Sequence, residues 1–192
     1  MVNRISSSSR NFKKRVMDKS HELFLRFMKQ KIIRIASVIM LLAVMTAVFF
    51  FSAEPADRSQ ETSDGFIFKV VSVFYPKVKT MTEKQWNDFL EKVSNPVRKL
   101  AHFSIYGLMG VFSILSIISY RNPKYGIRCI FAWLVCILYA VSDEIHQFFS
   151  AGRSCEFRDM LIDSSGALLG IVVMTGICII VRKRVEKREN RR

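Results

Sequence analysis

Four long apolar segments constrain the fold of this chain more than any other feature of its sequence. They cover residues 35–51, 100–120, 127–141 and 160–181. The hydrocarbon core of a bilayer requires about 20 apolar residues in a helix, and the third segment reaches that length only by extending through residue 149. A helix satisfies its own backbone hydrogen bonds within lipid. The sequence therefore predicts an all-α, polytopic membrane protein with four transmembrane helices.

The basic residues are distributed unevenly, and their distribution predicts the orientation of these helices. Residues 1–34, 121–128 and 182–192 hold 20 of the 30 Lys and Arg residues. The segments expected on the opposite side hold the other ten, together with twelve of the sixteen acidic residues. Because cytoplasmic loops retain Lys and Arg, both termini are predicted to be cytoplasmic. The charge accompanies no nucleic-acid reader motif, so nucleic-acid binding is not expected.

This orientation divides the chain into three parts. Residues 1–34 form a basic amphipathic segment, predicted to lie on the inner leaflet or, alternatively, to dock a partner. Residues 35–181 form the four-span membrane domain, and residues 182–192 form a cytoplasmic polybasic tail. The membrane domain includes a long outer loop at residues 52–96.

The outer loop is predicted to combine an irregular start with two short interfacial helices. Residues 52–65 are polar and rich in turn formers, whereas residues 66–74 are apolar but too short to span a membrane. Residues 82–93 have the pattern of an amphipathic helix that begins with a capping box. Asn95 and Pro96 then have the residue types of an N-cap and a first helical turn, which predicts the start of the second span there.

Ionisable and polar side chains at the outer ends of the spans form the candidate site. A charged group within a span costs a few kcal/mol, so each one needs a partner or a function. The residues lie near the start of the second span, the end of the third and the start of the fourth, or in the short loop between the last two. The predicted ligand-binding residues are Lys99, His102, Tyr106, Asp143, Glu144, Gln147, Arg153, Asp159 and Asp163.

Simpler interpretations exist for some of these residues. Lys99 and Arg153 have the side chains that commonly extend to lipid headgroups near helix ends. Asp159 stands at a helix start, where the helix dipole stabilises a negative charge. Capping does not account for Asp163, which lies one turn deeper, or for the acids at the C-terminal end of the third span.

Metal binding and disulfide formation are not predicted. His102 and His146 with nearby carboxylates are suitable zinc ligands by type, but no HExxH-like spacing is present. Three of the four cysteines lie in apolar segments, where such side chains pack. No cofactor is expected. Gly166 and Gly170 form a GxxxG motif, which favours close helix packing within the bundle over dimerisation.

The combined order of these motifs resembles the VanZ family. The segment RKLAHFSIY at residues 98–106 resembles its Lys and His motif. Later blocks are similar to its acidic-Gln, Gly-Arg and Asp-Gly elements, and they read DEIHQFF at 143–149, GR at 152–153, RD at 158–159 and DSSGA at 163–167. The resemblance covers residues 35–180. It implies a bacterial cytoplasmic-membrane protein linked to lower susceptibility to teicoplanin-type glycopeptides, which act on cell-wall precursors outside the membrane.

Three functions are consistent with these features. A binding or shielding protein would engage a membrane lipid, a lipid-linked cell-wall precursor or a glycopeptide, with Lys99 and Arg153 holding an anion. An intramembrane enzyme would modify a lipid headgroup by acid and base chemistry, with His102, Glu144 and Asp163 as candidate catalytic residues. A transporter is disfavoured because the polar residues lie toward one side only.

Overall fold

The structure, a computed structural model, describes residues 2–74, 80–118, 125–150, 152, 155–189 and 191. Its helices are α1 (Val2–Ala53), α2 (Ala56–Phe74), α3 (Glu83–Ile117), α4 (Tyr125–Phe148) and α5 (Phe157–Glu189). Four stretches are long and apolar enough to cross a membrane, namely Phe27–Ala53, Glu83–Ile117, Tyr125–Phe148 and Phe157–Arg188. The prediction of an all-α, four-span protein is confirmed, as is the extension of the third span beyond residue 141.

Helix α1 is continuous over 52 residues, so residue 34 is not a helix boundary. Arg34 contacts the far end of α3, where its Nε and Nη2 atoms donate to the carbonyl oxygen of Ile118 at 3.2 and 3.1 Å. A cation at a helix C-terminus satisfies carbonyls that have no partner within the helix and interacts favourably with the dipole. The placement of the segment before Arg34 on a leaflet stays a prediction.

Helix α2 overturns the expectation that residues 52–65 are irregular. The helix begins at Ala56, and hydroxyl groups within it bond to its own backbone. Thr62 and Ser63 donate to the carbonyl oxygens four residues earlier, at 3.0 and 2.8 Å. Hydroxyl groups bonded in this way are compatible with a helix, although the composition of residues 52–65 is typical of a turn. The apolar residues 66–74 continue the same helix.

Helix α3 begins as predicted but does not break where predicted. Thr82 is its N-cap, and the capping box with Gln85 is complete. The expected second helix start at Asn95 is wrong, because α3 runs through Pro96 to Ile117. A proline removes one backbone donor from the helix. The helix as a whole packs against α1, α2, α4 and α5.

Helix α3 is the centre of the bundle and packs backbone to backbone against α5. A Cβ atom added at Gly166 would lie 2.2 Å from the carbonyl oxygen of Phe103, and one added at Gly170 would lie 2.0 Å from that of Gly107. Only glycine permits so close an approach. The GxxxG pair therefore packs within the bundle, as predicted, and it fixes the spacing of α3 and α5.

Candidate functional site

A small polar cavity of about 90 Å³ lies where the C-terminal end of α4 and the N-terminal end of α5 meet α3. Six of the nine predicted ligand residues line it, namely Lys99, His102, Glu144, Gln147, Asp159 and Asp163. Its wall is completed by Arg98, Gly152, Glu156 and Ile162. Residues separated by up to 65 positions in the sequence thus face one cavity. Their roles in binding or catalysis stay predictions.

Lys99 is held between two acids at the start of α5. Its Nζ atom lies 2.5 Å from Asp159 Oδ1 and 3.6 Å from Glu156 Oε2, and one-fifth of its side chain is exposed. It therefore does not extend freely to headgroups. Asp159 stands in the first turn of α5, so the dipole and the ion pair both stabilise its charge. Lys99 and Asp159 connect α3 to α5 beside the cavity.

Glu144 and Asp143 are adjacent in sequence but differ in surroundings. Glu144 faces the cavity, is 2% exposed, and accepts a hydrogen bond of 2.9 Å from the backbone N–H of Glu156. The Oδ2 atom of Asp143 accepts hydrogen bonds from the hydroxyl of Tyr106 at 3.2 Å and from Nε2 of Gln147 at 3.1 Å. The Oδ1 atom of Asp143 is buried without a hydrogen bond in the described structure.

Sequence analysis did not include Ser52 in the site. Its side chain is 1% exposed, and its Oγ accepts a hydrogen bond of 3.4 Å from Gln147 Nε2. Ser52 thereby joins α1 to the network around Asp143. The available signal for it was its position directly after the apolar segment 35–51, at the predicted outer end of the first span.

His102 and Asp163 form a second polar contact between α3 and α5. Asp163 is 1% exposed, and His102 Nδ1 lies 3.7 Å from its Oδ2 atom. This distance is too long for a hydrogen bond, and neither carboxylate oxygen of Asp163 has one in the described structure. One ligand atom from each of His102, Asp143 and Asp163 lies within 4.8 Å of the others. These three side chains are therefore candidate metal ligands by type and by proximity.

His146, which was weighed only as a metal ligand, and Arg153, which was predicted to bind ligand, do not join this arrangement in the described structure. His146 stacks on Phe49 of α1, with ring centroids 4.4 Å apart, and does not line the polar cavity. Arg153 lies outside the described residues. Gly152, which precedes it and lines the cavity, has a φ of 75°, a conformation that glycine adopts readily.

An apolar groove of about 360 Å³ adjoins the polar cavity and was not predicted. Its apolar wall consists of Val48, Phe51, Phe66, Val97, Ala101 and Ile105. Arg98 and His102, one helical turn apart on α3, line both the groove and the polar cavity. That spacing of four residues was the signal for Arg98, because it places both side chains on one face of a helix.

Comparison with known proteins agrees with the resemblance seen in the motifs. A family model described as VanZ/LLP1 matches residues 37–181. The matched region contains α2, α3 and α4 completely, and all residues of the polar cavity and the apolar groove fall within it. No curated protein and no solved structure matches the chain.

Proposed function

The chain belongs to the VanZ/LLP1 family, and we propose that it binds an anionic lipid of the bacterial envelope. The headgroup occupies the polar cavity and the hydrocarbon chain occupies the apolar groove. The observation that carries this proposal is the pair Arg98 and His102, which line both spaces. A ligand that contacts them from both sides must be polar at one end and apolar at the other.

Arg98 is the cation best suited to the headgroup. Lys99 is paired with Asp159 and Glu156, whereas Arg98 has no ion pair with any residue that the structure describes. A guanidinium presents donors in a planar fork that matches a phosphate. Arg153, one residue beyond Gly152 of the cavity wall, is the second candidate cation. The sequence predicted that Lys99 and Arg153 hold the anion, whereas the proposal assigns the main anion-binding role to Arg98.

The site is proposed to face outward in the cytoplasmic membrane. The excess of Lys and Arg at both chain ends supports cytoplasmic termini. The polar cavity lies at the other end of the bundle, beside the end of α1 and the start of α5. Lipid-linked cell-wall precursors are presented on that outer face. Binding one there is proposed to lower susceptibility to teicoplanin-type glycopeptides, since these compounds act on the same precursors.

Lipid titration of the purified chain tests this proposal. The probes are a polyprenyl phosphate and neutral phosphatidylcholine, each added to protein in detergent micelles and followed by native mass spectrometry. The anionic lipid is expected to bind more tightly. Arg98→Ala is expected to weaken its binding about tenfold or more, because hydrogen bonds between charged groups contribute about 1.5–3 kcal/mol each.

Arg158→Ala is the matched control, since Arg158 is exposed at the start of α5 and lines neither space. It is expected to bind the polyprenyl phosphate as the unchanged chain does. Equal losses in both variants would show a general charge effect and contradict the assigned headgroup site.

A second candidate function is catalysis on the same headgroup. The observation in its favour is that His102, Glu144 and Asp163 all line the polar cavity, which places an imidazole and two carboxylates around one space. Groups of this kind exchange protons with a bound substrate. The test compares lipid extracts of cells that carry the unchanged chain, Glu144→Gln or no copy. Identical lipid compositions would contradict catalysis and leave binding as the function.

A further inference from the structure

We propose that His102, Asp143 and Asp163 bind one divalent transition-metal ion between α3, α4 and α5. We call these residues the three-ligand cluster. Its formation requires no lipid, so the inference goes beyond the lipid-binding function and does not depend on it. The prediction of no metal relied on the absence of an HExxH-like spacing, and the set that it weighed combined His102 with His146, which instead stacks on Phe49.

The spacing of the ligand atoms is the first argument. Zinc binds nitrogen and carboxylate oxygen at about 2.0–2.2 Å with tetrahedral geometry, so two of its ligand atoms lie about 3.4 Å apart. The His102 Nδ1 to Asp163 Oδ2 distance of 3.7 Å is close to this spacing. All three ligand atoms lie within 4.8 Å of one another, so a contraction of up to about 1.4 Å brings the cluster to zinc-binding geometry.

The burial of two carboxylates is the second argument. Asp163 is 1% exposed and Asp143 is 3% exposed, and three of their four oxygens have no hydrogen bond in the described structure. Burying an ion without compensation costs several kcal/mol. The nearest lysine of the cavity, Lys99, is instead paired with Asp159 and Glu156. A divalent cation balances two carboxylates completely.

The hydrogen bonds around Asp143 are the third argument. Tyr106 and Gln147 both donate to Oδ2, which fixes the carboxylate and leaves Oδ1 to act as a ligand. Metal-binding carboxylates are commonly oriented by such partners. If Oδ1 were only a further hydrogen-bond acceptor, one of these two donors could bind it, but both donate to Oδ2.

The donor set favours a particular class of metal. One imidazole and two carboxylates suit zinc, manganese or iron better than calcium, which prefers oxygen ligands alone. Three protein ligands leave a coordination position open. Since His102 and Asp163 line the polar cavity, that position is accessible from the cavity.

The proposal is tested by measuring metal binding to the full chain. The protein is purified without a polyhistidine tag and first treated with a chelator. The protein is dialysed against Zn²⁺ or Mn²⁺ and its bound metal is measured by mass spectrometry, while Co²⁺ reports ligand geometry by visible absorption. We expect one ion per chain. Asp163→Asn and His102→Ala are expected to weaken binding at least 100-fold, and Tyr106→Phe about 10- to 100-fold through the orientation of Asp143.

Asp88→Asn is the matched control, because it removes an exposed carboxylate of α3 that belongs neither to the cluster nor to the polar cavity. It is expected to retain the ion. If the cluster variants fail to fold, the melting temperature of the unchanged chain still provides a test, since it must rise with Zn²⁺ concentration. A chain that binds no ion, or an Asp163→Asn variant that binds as tightly as the unchanged chain, overturns the proposal. Neither measurement involves lipid, so a failure of the metal-binding proposal can be distinguished from a failure of the lipid-binding proposal.

Discussion

Replacing Gly170 with alanine is expected to force α3 and α5 apart. The new Cβ atom would lie 2.0 Å from the carbonyl oxygen of Gly107, whereas real Cβ contacts are essentially never shorter than 3.0 Å. The obstacle is backbone and cannot rotate away, so the helices must separate locally by about 1 Å. Overpacking costs about 1–3 kcal/mol, and we take the upper value for a rigid obstacle. Removing a helical glycine recovers about 1 kcal/mol, which leaves a net destabilisation of about 2 kcal/mol.

Gly176→Ala provides the control on the same helix, because a Cβ atom there meets nothing within 4 Å. It is expected to be neutral or stabilising by up to about 1 kcal/mol. The measurement is unfolding by SDS in mixed micelles, followed by the fluorescence of Trp133, whose Nε1 donates to the carbonyl oxygen of Ser164 on α5 at 3.0 Å. A Trp86→Phe background leaves Trp133 as the single tryptophan. Equal unfolding midpoints for the two alanine variants would refute the reasoning.

Three further predictions address topology and connections between helices. Cys155 is exposed near the polar cavity, so a membrane-impermeant maleimide should label it in intact cells; labelling only after permeabilisation would reverse the proposed orientation. Lys99→Ala should destabilise the bundle by about 1.5–3 kcal/mol, measured as the unfolding midpoint in SDS. In a double-mutant cycle with Asp159→Asn, additive effects would contradict a direct ion pair. Arg34→Ala should lower the same midpoint by about 1 kcal/mol, since the α3 C-terminus loses its donors, and an unchanged midpoint would show that water replaces them.

The fold was predictable from the sequence where long-range composition determines it. Apolar length identified four spans, and the capping pattern located the start of α3 at Thr82. The errors lie where local composition and tertiary packing conflict. Residues 52–65 have the composition of a turn, but their hydroxyls bond within α2 and the helix packs on α3 through Phe68 and Trp86, with ring centroids 5.4 Å apart. Similarly, Pro96 is typical of a helix start and yet lies within α3.

The candidate site was predictable as a set of residues but not as an arrangement. Topology alone placed the outer ends of the second, third and fourth predicted spans together, and six of the nine predicted residues line one cavity. Linear spacing could not reveal which charges pair with one another. Lys99 is paired with Asp159 of α5, whereas Arg98 lines the cavity without an ion pair to any residue that the structure describes. Nor could it reveal that Asp143 lies next to Asp163, since that contact depends on the spacing of α3, α4 and α5.

Pro96 has a consequence for the depth of the bundle in the membrane. Because proline has no backbone N–H, the carbonyl of Lys92 loses its usual donor four residues later, and water satisfies such a carbonyl more readily than hydrocarbon does. We therefore expect the boundary of the bilayer core on α3 to fall close to Pro96. The remaining 97–117 stretch is about 31 Å long, which matches a hydrocarbon thickness of about 30 Å. His102 then lies about 8 Å below that boundary along the helix axis. A lipid headgroup or a metal ion that contacts His102 must therefore lie inside the boundary of the bilayer core.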